Sequence, residues 1–216
     1  MIQGEIVTSE IFDKAAADWD NNEQRVKLSR GVAAAIHRAV SLNAGMTGLE
    51  IGCGTGLVTM ELAGKMKSIV ATDSSAGMLD ALREKIGSRA AANIMPMQAD
   101  LTTDVSPLAG RTFDLIYSSM TLHHIKDTAG LLRICHPLLN PGGFLALADL
   151  EQEDGSFHGD MPGVEHHGFH PPHLASLAAD CGFVNVNVVR IHVVSKEDAK
   201  GRQRDYPVFL LAGRRD

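Results

Sequence analysis

Cysteine is scarce in this chain and basic residues are never massed, and each shortage excludes a class of protein. The three cysteines, Cys53, Cys135 and Cys181, are odd in number, far apart and without a C-x-x-C pair. Neither a disulfide framework nor a thiolate metal centre is indicated, and a reducing, cytoplasmic setting is expected. No block of Lys and Arg accompanies the net charge of -6, which sets nucleic acid aside as a partner. No apolar run approaches the length of a membrane span, so no membrane partner is expected either. Met1 to Ser9 carries Glu5 among its apolar residues and lacks the basic start and apolar core of a secretory leader. Internal repeats and low-complexity tracts are also missing. The 216 residues suffice for one domain whose core needs no disulfide or metal.

What the chain does contain is a change of period at residue 46. Residues 8–42 read as two helices: Ile11, Phe12, Ala15, Ala16 and Trp19 share one face, Asp20-Asn21-Asn22 interrupts, and Asn21 with Gln24 resembles a capping box. This segment, 1–45, packs on the rest or covers a site. From 46 onward strands and helices alternate, with strands at 47–51, 68–72, 93–98, 113–118 and 144–148 and helices after 56 and at 75–86 and 127–139. That alternation predicts an α/β fold with a mostly parallel sheet covered on both faces. Residues 149–172, rich in Gly, Pro, His and acids, are too long for an ordinary connection and read as a lid or a mobile loop. A helix at 173–181, strands at 184–191 and 207–212 and a polar excursion at 195–205 complete the chain, with the last two strands compatible with an antiparallel hairpin at the sheet edge.

In an open parallel sheet, ligands bind beyond the carboxyl ends of the strands. Four features fall at such ends: the turn Leu49-Glu50-Ile51-Gly52-Cys53-Gly54-Thr55-Gly56, then Asp73, then Asp100, then Ser118-Ser119. Glycine lets backbone adopt positive φ and lets a ligand approach without a Cβ in the way. The helix after Gly56 would turn its free N–H groups toward that ligand. An acid closing the second strand is placed to accept a ribose diol, or alternatively to cap the helix that follows. The spacing is G-x-G-x-G, not the G-x-G-x-x-G of dinucleotide folds, which disfavours a nicotinamide-dependent oxidoreductase.

LEIGCGTG from Leu49, ATD at Ala71 to Asp73, QAD at Gln98 to Asp100, FDLIYSSMTLHHI from Phe113 and LNPGGFLALAD from Leu139 together resemble class I S-adenosylmethionine-dependent methyltransferases, most closely the type 11 small-molecule group. The resemblance spans 46–149, which becomes the cofactor-binding core, with 150–216 supplying a lid loop and C-terminal strands. It implies a doubly wound, Rossmann-like seven-stranded sheet with the last strand antiparallel. It also implies S-adenosylmethionine as cofactor and a small-molecule methyl acceptor. Gly52, Gly54 and Gly56 would meet the methionine end, with Glu50 orienting the loop or reaching the cofactor's amino group through water and Ser118 offering a backbone carbonyl. Asp73 would hold the ribose hydroxyls. Asp100 would hold the adenine amino group, with Ala99 nearby. Where the family usually has a large apolar residue after the ribose acid, this chain has Ser74, and Met78 is the substitute for packing on adenine. A cofactor-binding protein without methyl transfer is the alternative of a different class.

Methyl transfer from a sulfonium chiefly needs placement and exclusion of water, and a hydroxyl or ammonium acceptor also needs a base. His123 and His124, on the loop after the fourth strand, are the candidates, and packing at a helix start is the competing role. His158, His166, His167, His170 and His173 raise the question of a metal. His167, His170 and His173 recur every third residue, but Pro171-Pro172 would break a helix aligning them, so no metal site is expected. Between Arg133 and Arg190 there is no Lys or Arg while seven acids fall there, a field that would favour a neutral or cationic acceptor if those acids face the site. Cys53 reads as a small loop residue and not as a nucleophile.

Overall fold

Strands β1 (Thr47–Ile51), β2 (Ser68–Asp73), β3 (Ile94–Gln98), β4 (Phe113–Ser119), β5 (Leu139–Leu150), β6 (Val184–Glu197) and β7 (Gln203–Arg214) form one sheet in the order β3-β2-β1-β4-β5-β7-β6. The structure, a computed structural model, describes residues 2–198 and 201–216, with side chains from Ser9 onward. Strands β1 to β5 run parallel, and β7 inserts antiparallel between β5 and β6. The doubly wound seven-stranded fold expected from the sequence is the fold observed. Strand order reverses between β1 and β4, and the chain leaves both strands at the same end of the sheet, which opens a crevice there.

Helices cover both faces, which is why the inner strands are continuous apolar runs. In β4, Leu115, Ile116 and Tyr117 are all inaccessible to solvent. One core layer joins α2 (Glu23–Ala39), α3 (Leu57–Ala63) and α4 (Ala76–Arg89) to the sheet through Val32, Ile36, Leu62, Leu79 and Leu82. The other joins α5 (Thr128–Leu138) and α6 (Pro171–Asp180) to it through Leu131, Leu132, Leu174 and Ala178. Pro96 is tolerated in β3 because β3 is an edge, with β2 as its partner.

The structure differs from the sequence reading in several places, among them β5, which begins at Leu139 and not at 144, and α6, which begins at Pro171 and not at 173. The first helix, α1 (Ile2–Ala15), begins earlier than residue 8 and passes through a 3-10 helix (Ala16–Asn21) into α2. The cap of α2 is Asn22, whose side-chain oxygen accepts from Gln24 and Arg25 N–H, so the expected Asn21 box lies one residue early. Residues 195–197 and 203–205 of the polar excursion belong to β6 and β7, held by their ladder; Ala199 and Lys200 lie outside the described residues. The terminal pair is antiparallel, but of its two strands only β6 is at an edge, because β7 lies against β5.

Candidate active site

The glycine turn is built by three different constraints. All three glycines have positive φ, +66° at Gly52, +53° at Gly54 and +79° at Gly56. A Cβ on Gly52 would collide with Thr121, and one on Gly56 with Leu82 of α4. Gly56 is also the N-cap of α3 in the left-handed region, and it does not line the crevice. At Gly54 a Cβ would have only Met78 Sδ nearby, at 3.9 Å, so this is the position where the missing side chain leaves room for a ligand.

Asp73 is fixed by that turn. Its Oδ2 accepts Gly54 N–H at 2.7 Å and its Oδ1 accepts Ser75 N–H at 2.9 Å. The helix cap is Ser75, which accepts from Met78 N–H, so Asp73 is not consumed in capping α4. Each carboxylate oxygen keeps a lone pair for a hydroxyl donor. Burial raises the Asp73 carboxyl above its ordinary range. Asp100, after β3, has its orientation set by Thr102, whose N–H and hydroxyl donate to Oδ1 at 2.9 and 2.6 Å.

Glu50 is 1 % exposed, accepts a hydrogen bond from Thr59, and is pushed up to about 8 by burial. Ser118, also buried, donates to Ile51 O at 2.8 Å and ties β4 to β1, while Ser119, Met120 and Thr121 form the adjacent wall. Cys53 is buried and its thiol is held well above the ordinary range by desolvation, which suits a packed loop residue and not a nucleophile.

These groups line one cleft of about 1180 Å³. Glu50, Gly52, Gly54, Asp73, Ser74, Met78, Ala99, Asp100 and His124 are in its wall, whereas Gly56, Ser118 and His123 stand behind it. The N-terminal segment closes one side with Phe12, Trp19 and Arg25, the guanidinium lying 3.8 Å from the Trp19 ring centroid. It is docked by acids that sequence reasoning missed. Asp13 accepts from Ser75 Oγ at 2.5 Å and Gly77 N–H at 2.9 Å. Asp20 accepts from Thr55 Oγ1 at 2.6 Å and pairs with Lys85. The polar interruption at Asp20 was visible in the sequence; its partner was not.

Behind the opposite wall, His123 Nδ1 lies 2.8 Å from Asp149 Oδ1, and both side chains are buried. His124 Nδ1 lies 2.7 Å from Gly163 O and the ring is edge-on to Phe12 at 5.4 Å. A carbonyl only accepts, so Nδ1 of His124 carries the proton and the neutral ring has its lone pair on Nε2. Burial lowers His124 to about 4 and His158 to about 3, which keeps both rings neutral at ordinary pH. The loop between β5 and α6 reaches the cleft with Pro162, Gly163 and Glu165. Of the acids in the stretch poor in Lys and Arg, Glu165 alone is in the wall. Asp149 is buried against His123, and Arg190 and Arg204 fold back to pair with Glu151 and Asp154 at 2.7 and 2.8 Å. The gap in basic residues along the chain thus closes in space. His167, His170 and His173 do not converge, because α6 starts at Pro171.

A crevice at a strand-order switch, with a glycine turn and acids at successive strand ends, defines a Rossmann-like nucleotide-cofactor protein of the methyltransferase type. Residues 49–147 match the model of the methyltransferase domain family. An uncharacterized methyltransferase of Schizosaccharomyces pombe is 33 % identical over 159 residues, covering 67 % of this chain and 56 % of that protein. The chain spans about half the length of the curated relatives it matches. Among solved structures, the partner of the Trm112 methyltransferase activator from Haloferax volcanii superposes with a TM-score of 0.73 at 15 % identity, covering 94 % of this chain and 96 % of that one. Phosphoethanolamine N-methyltransferase 2 of Haemonchus contortus, solved with S-adenosylmethionine, gives 0.68 at 17 % identity over 85 % of this chain and 52 % of that one. Residues 49–147 thus form a methyltransferase domain, and S-adenosylmethionine is the cofactor that goes with it.

Proposed function

We propose that this protein transfers the methyl group of S-adenosylmethionine to a small-molecule acceptor. The observation that carries the reading is the single cleft in which the open side of Gly54, the Asp73 carboxylate, Asp100 and His124 all meet. The donor set suits the cofactor: backbone without side chains for the methionine end, Asp73 for a ribose diol, Asp100 with Ala99 for the adenine edge, and Met78 with Ser74 for its face. Gly56 and Ser118 would act from behind, as turn and strand tie. When bound, S-adenosylmethionine supplies an electrophilic methyl whose donor sulfur leaves as a neutral thioether. The protein's part is then to position an acceptor and exclude water. Phe12 and Trp19 on one side and the 151–170 loop on the other give the cleft its cover, and His124 offers a lone pair at the covered end. His123, locked to Asp149, would hold that wall in place.

Calorimetry with S-adenosylmethionine, its demethylated product and NAD tests the cofactor assignment. The first two should bind and NAD should not; tight NAD binding would restore the oxidoreductase reading. Labelled-methyl transfer into a panel of amines, phenols, carboxylates and phosphates, and into cell extract, tests the activity. Label in no acceptor would favour a binding protein. Replacing His124 by Ala should lower turnover roughly 10²- to 10⁴-fold with cofactor affinity almost unchanged, and an unaltered rate would remove His124 from the chemistry.

A further inference from the structure

Three imidazoles from two distant stretches of chain converge beside the cleft. His123 and His124 follow β4, and His158 arrives from the 151–170 loop. Ring centroids are 4.2 Å apart for His123 and His124 and 4.5 Å for His123 and His158, and one ring nitrogen from each lies within 4.8 Å of the others. Two of the three are oriented from behind: His123 Nδ1 by the buried Asp149 carboxylate, His124 Nδ1 by the Gly163 carbonyl. Metal-binding histidines characteristically donate their second ring N–H to a carboxylate or backbone carbonyl, which fixes the tautomer and frees the other nitrogen. The third ring adds independent evidence. His158 Nδ1 is buried with no hydrogen-bond partner among the described residues, a state that is otherwise unfavourable. Each ring contributes one nitrogen to this group, the Nδ1 atoms of His123 and His124 are already engaged from behind while that of His158 is not, and a cation held among the three rings would give the group a common partner.

We propose that His123, His124 and His158 form a three-imidazole site for a divalent transition ion of the Zn²⁺ class. Three nitrogen ligands with a coordination position to spare suit Zn²⁺ or Co²⁺, and the absence of oxygen ligands in the trio disfavours Mg²⁺ and Ca²⁺. Asp149 supplies a neighbouring negative charge. The nearby Lys196 ammonium, which opposes a cation, is drawn to Glu153 and to the Phe157 carbonyl. His124 is in the cleft wall, so the ion would border the cleft. Resting on the methyltransferase reading, its remaining position would take an acceptor oxygen or sulfur and lower that group's pKa, with the ion replacing the free His124 lone pair as activator. Because His158 comes from the loop, the ion would also pin that loop over the cleft.

The test uses untagged full-length protein, stripped with a chelator and titrated with Zn²⁺ by calorimetry, with Co²⁺ absorption as a second readout. Equimolar Zn²⁺ binding and an intense visible Co²⁺ spectrum are expected. Asp149→Asn should weaken binding roughly 10- to 100-fold, and His158→Ala by at least as much, whereas His167→Ala should change nothing. Circular dichroism and cofactor calorimetry on His158→Ala establish that it is folded, since this ring does not line the cofactor's part of the cleft. Undetectable binding, binding untouched by His158→Ala, or binding lost in His167→Ala would each overturn the site. Failure of cofactor binding with metal binding intact would count against the methyltransferase reading instead.

Discussion

Glu50 shows how one residue can set function against stability. Its carboxyl ionises near 4.5 when unfolded and near 8 in the fold, so between those values the folded state binds more protons than the unfolded one. Its contribution to stability is therefore greatest below pH 4.5 and is lost as pH rises toward 8. Glu50→Gln, which imitates the protonated group, should match the parent near pH 4 and be more stable by a few kcal/mol above pH 8, as read by denaturant titration. The same change should weaken cofactor binding. In the parent, binding at pH 7 should release a proton as the cationic cofactor draws the carboxyl into its charged form, visible as a dependence of the calorimetric enthalpy on buffer ionisation. The glycines separate in the same way. Gly56→Ala strains a +79° φ and drives a methyl into Leu82, so it should cost about 1–3 kcal/mol of stability. Gly54→Ala meets the same kind of positive-φ strain at +53° but no clash, so beyond that strain it should be felt as lost cofactor affinity, because its open side faces the cleft.

At the scale of elements, the N-terminal helices are joined to the site by specific polar contacts as well as by packing. Asp20 receives the Thr55 hydroxyl and Lys85, both belonging to the glycine turn and its supporting helix. Asp20→Ala should cost about 1–2 kcal/mol of local docking. Faster hydrogen exchange across 16–21 and faster cofactor dissociation would report it, with global unfolding hardly altered. The sequence showed the break at 20–22 because polar residues interrupt an apolar stripe. It did not show that the break faces Thr55, since a contact across 35 positions leaves no periodic trace. The same reason hid the return of Arg190 and Arg204 to the lid acids, which leaves the expected acidic field over the cleft reduced to Glu165.

At the scale of the molecule, the central strands β1, β4 and β5 are flanked on both sides by other strands and covered on both faces, whereas α1 and the edge strand β6 are peripheral. Hydrogen exchange should be slowest in the former and fastest in the latter. The alternation of strand and helix, the seven-stranded class and the strand-end positions of the glycines, Asp73 and Asp100 were all determined by the sequence alone. Buried parallel strands need continuous apolar runs, and a turn that must pass through positive φ needs glycine, so both leave local marks. Only the tertiary structure decided that Ser118 ties strands while Ser119 lines the cleft, that His123 is held by Asp149 behind the wall while His124 enters it, and that His158, not His167, His170 or His173, completes a cluster. Those outcomes depend on which distant side chains the closed sheet and the returning loop bring within a few ångströms, and no spacing along the chain encodes that distance.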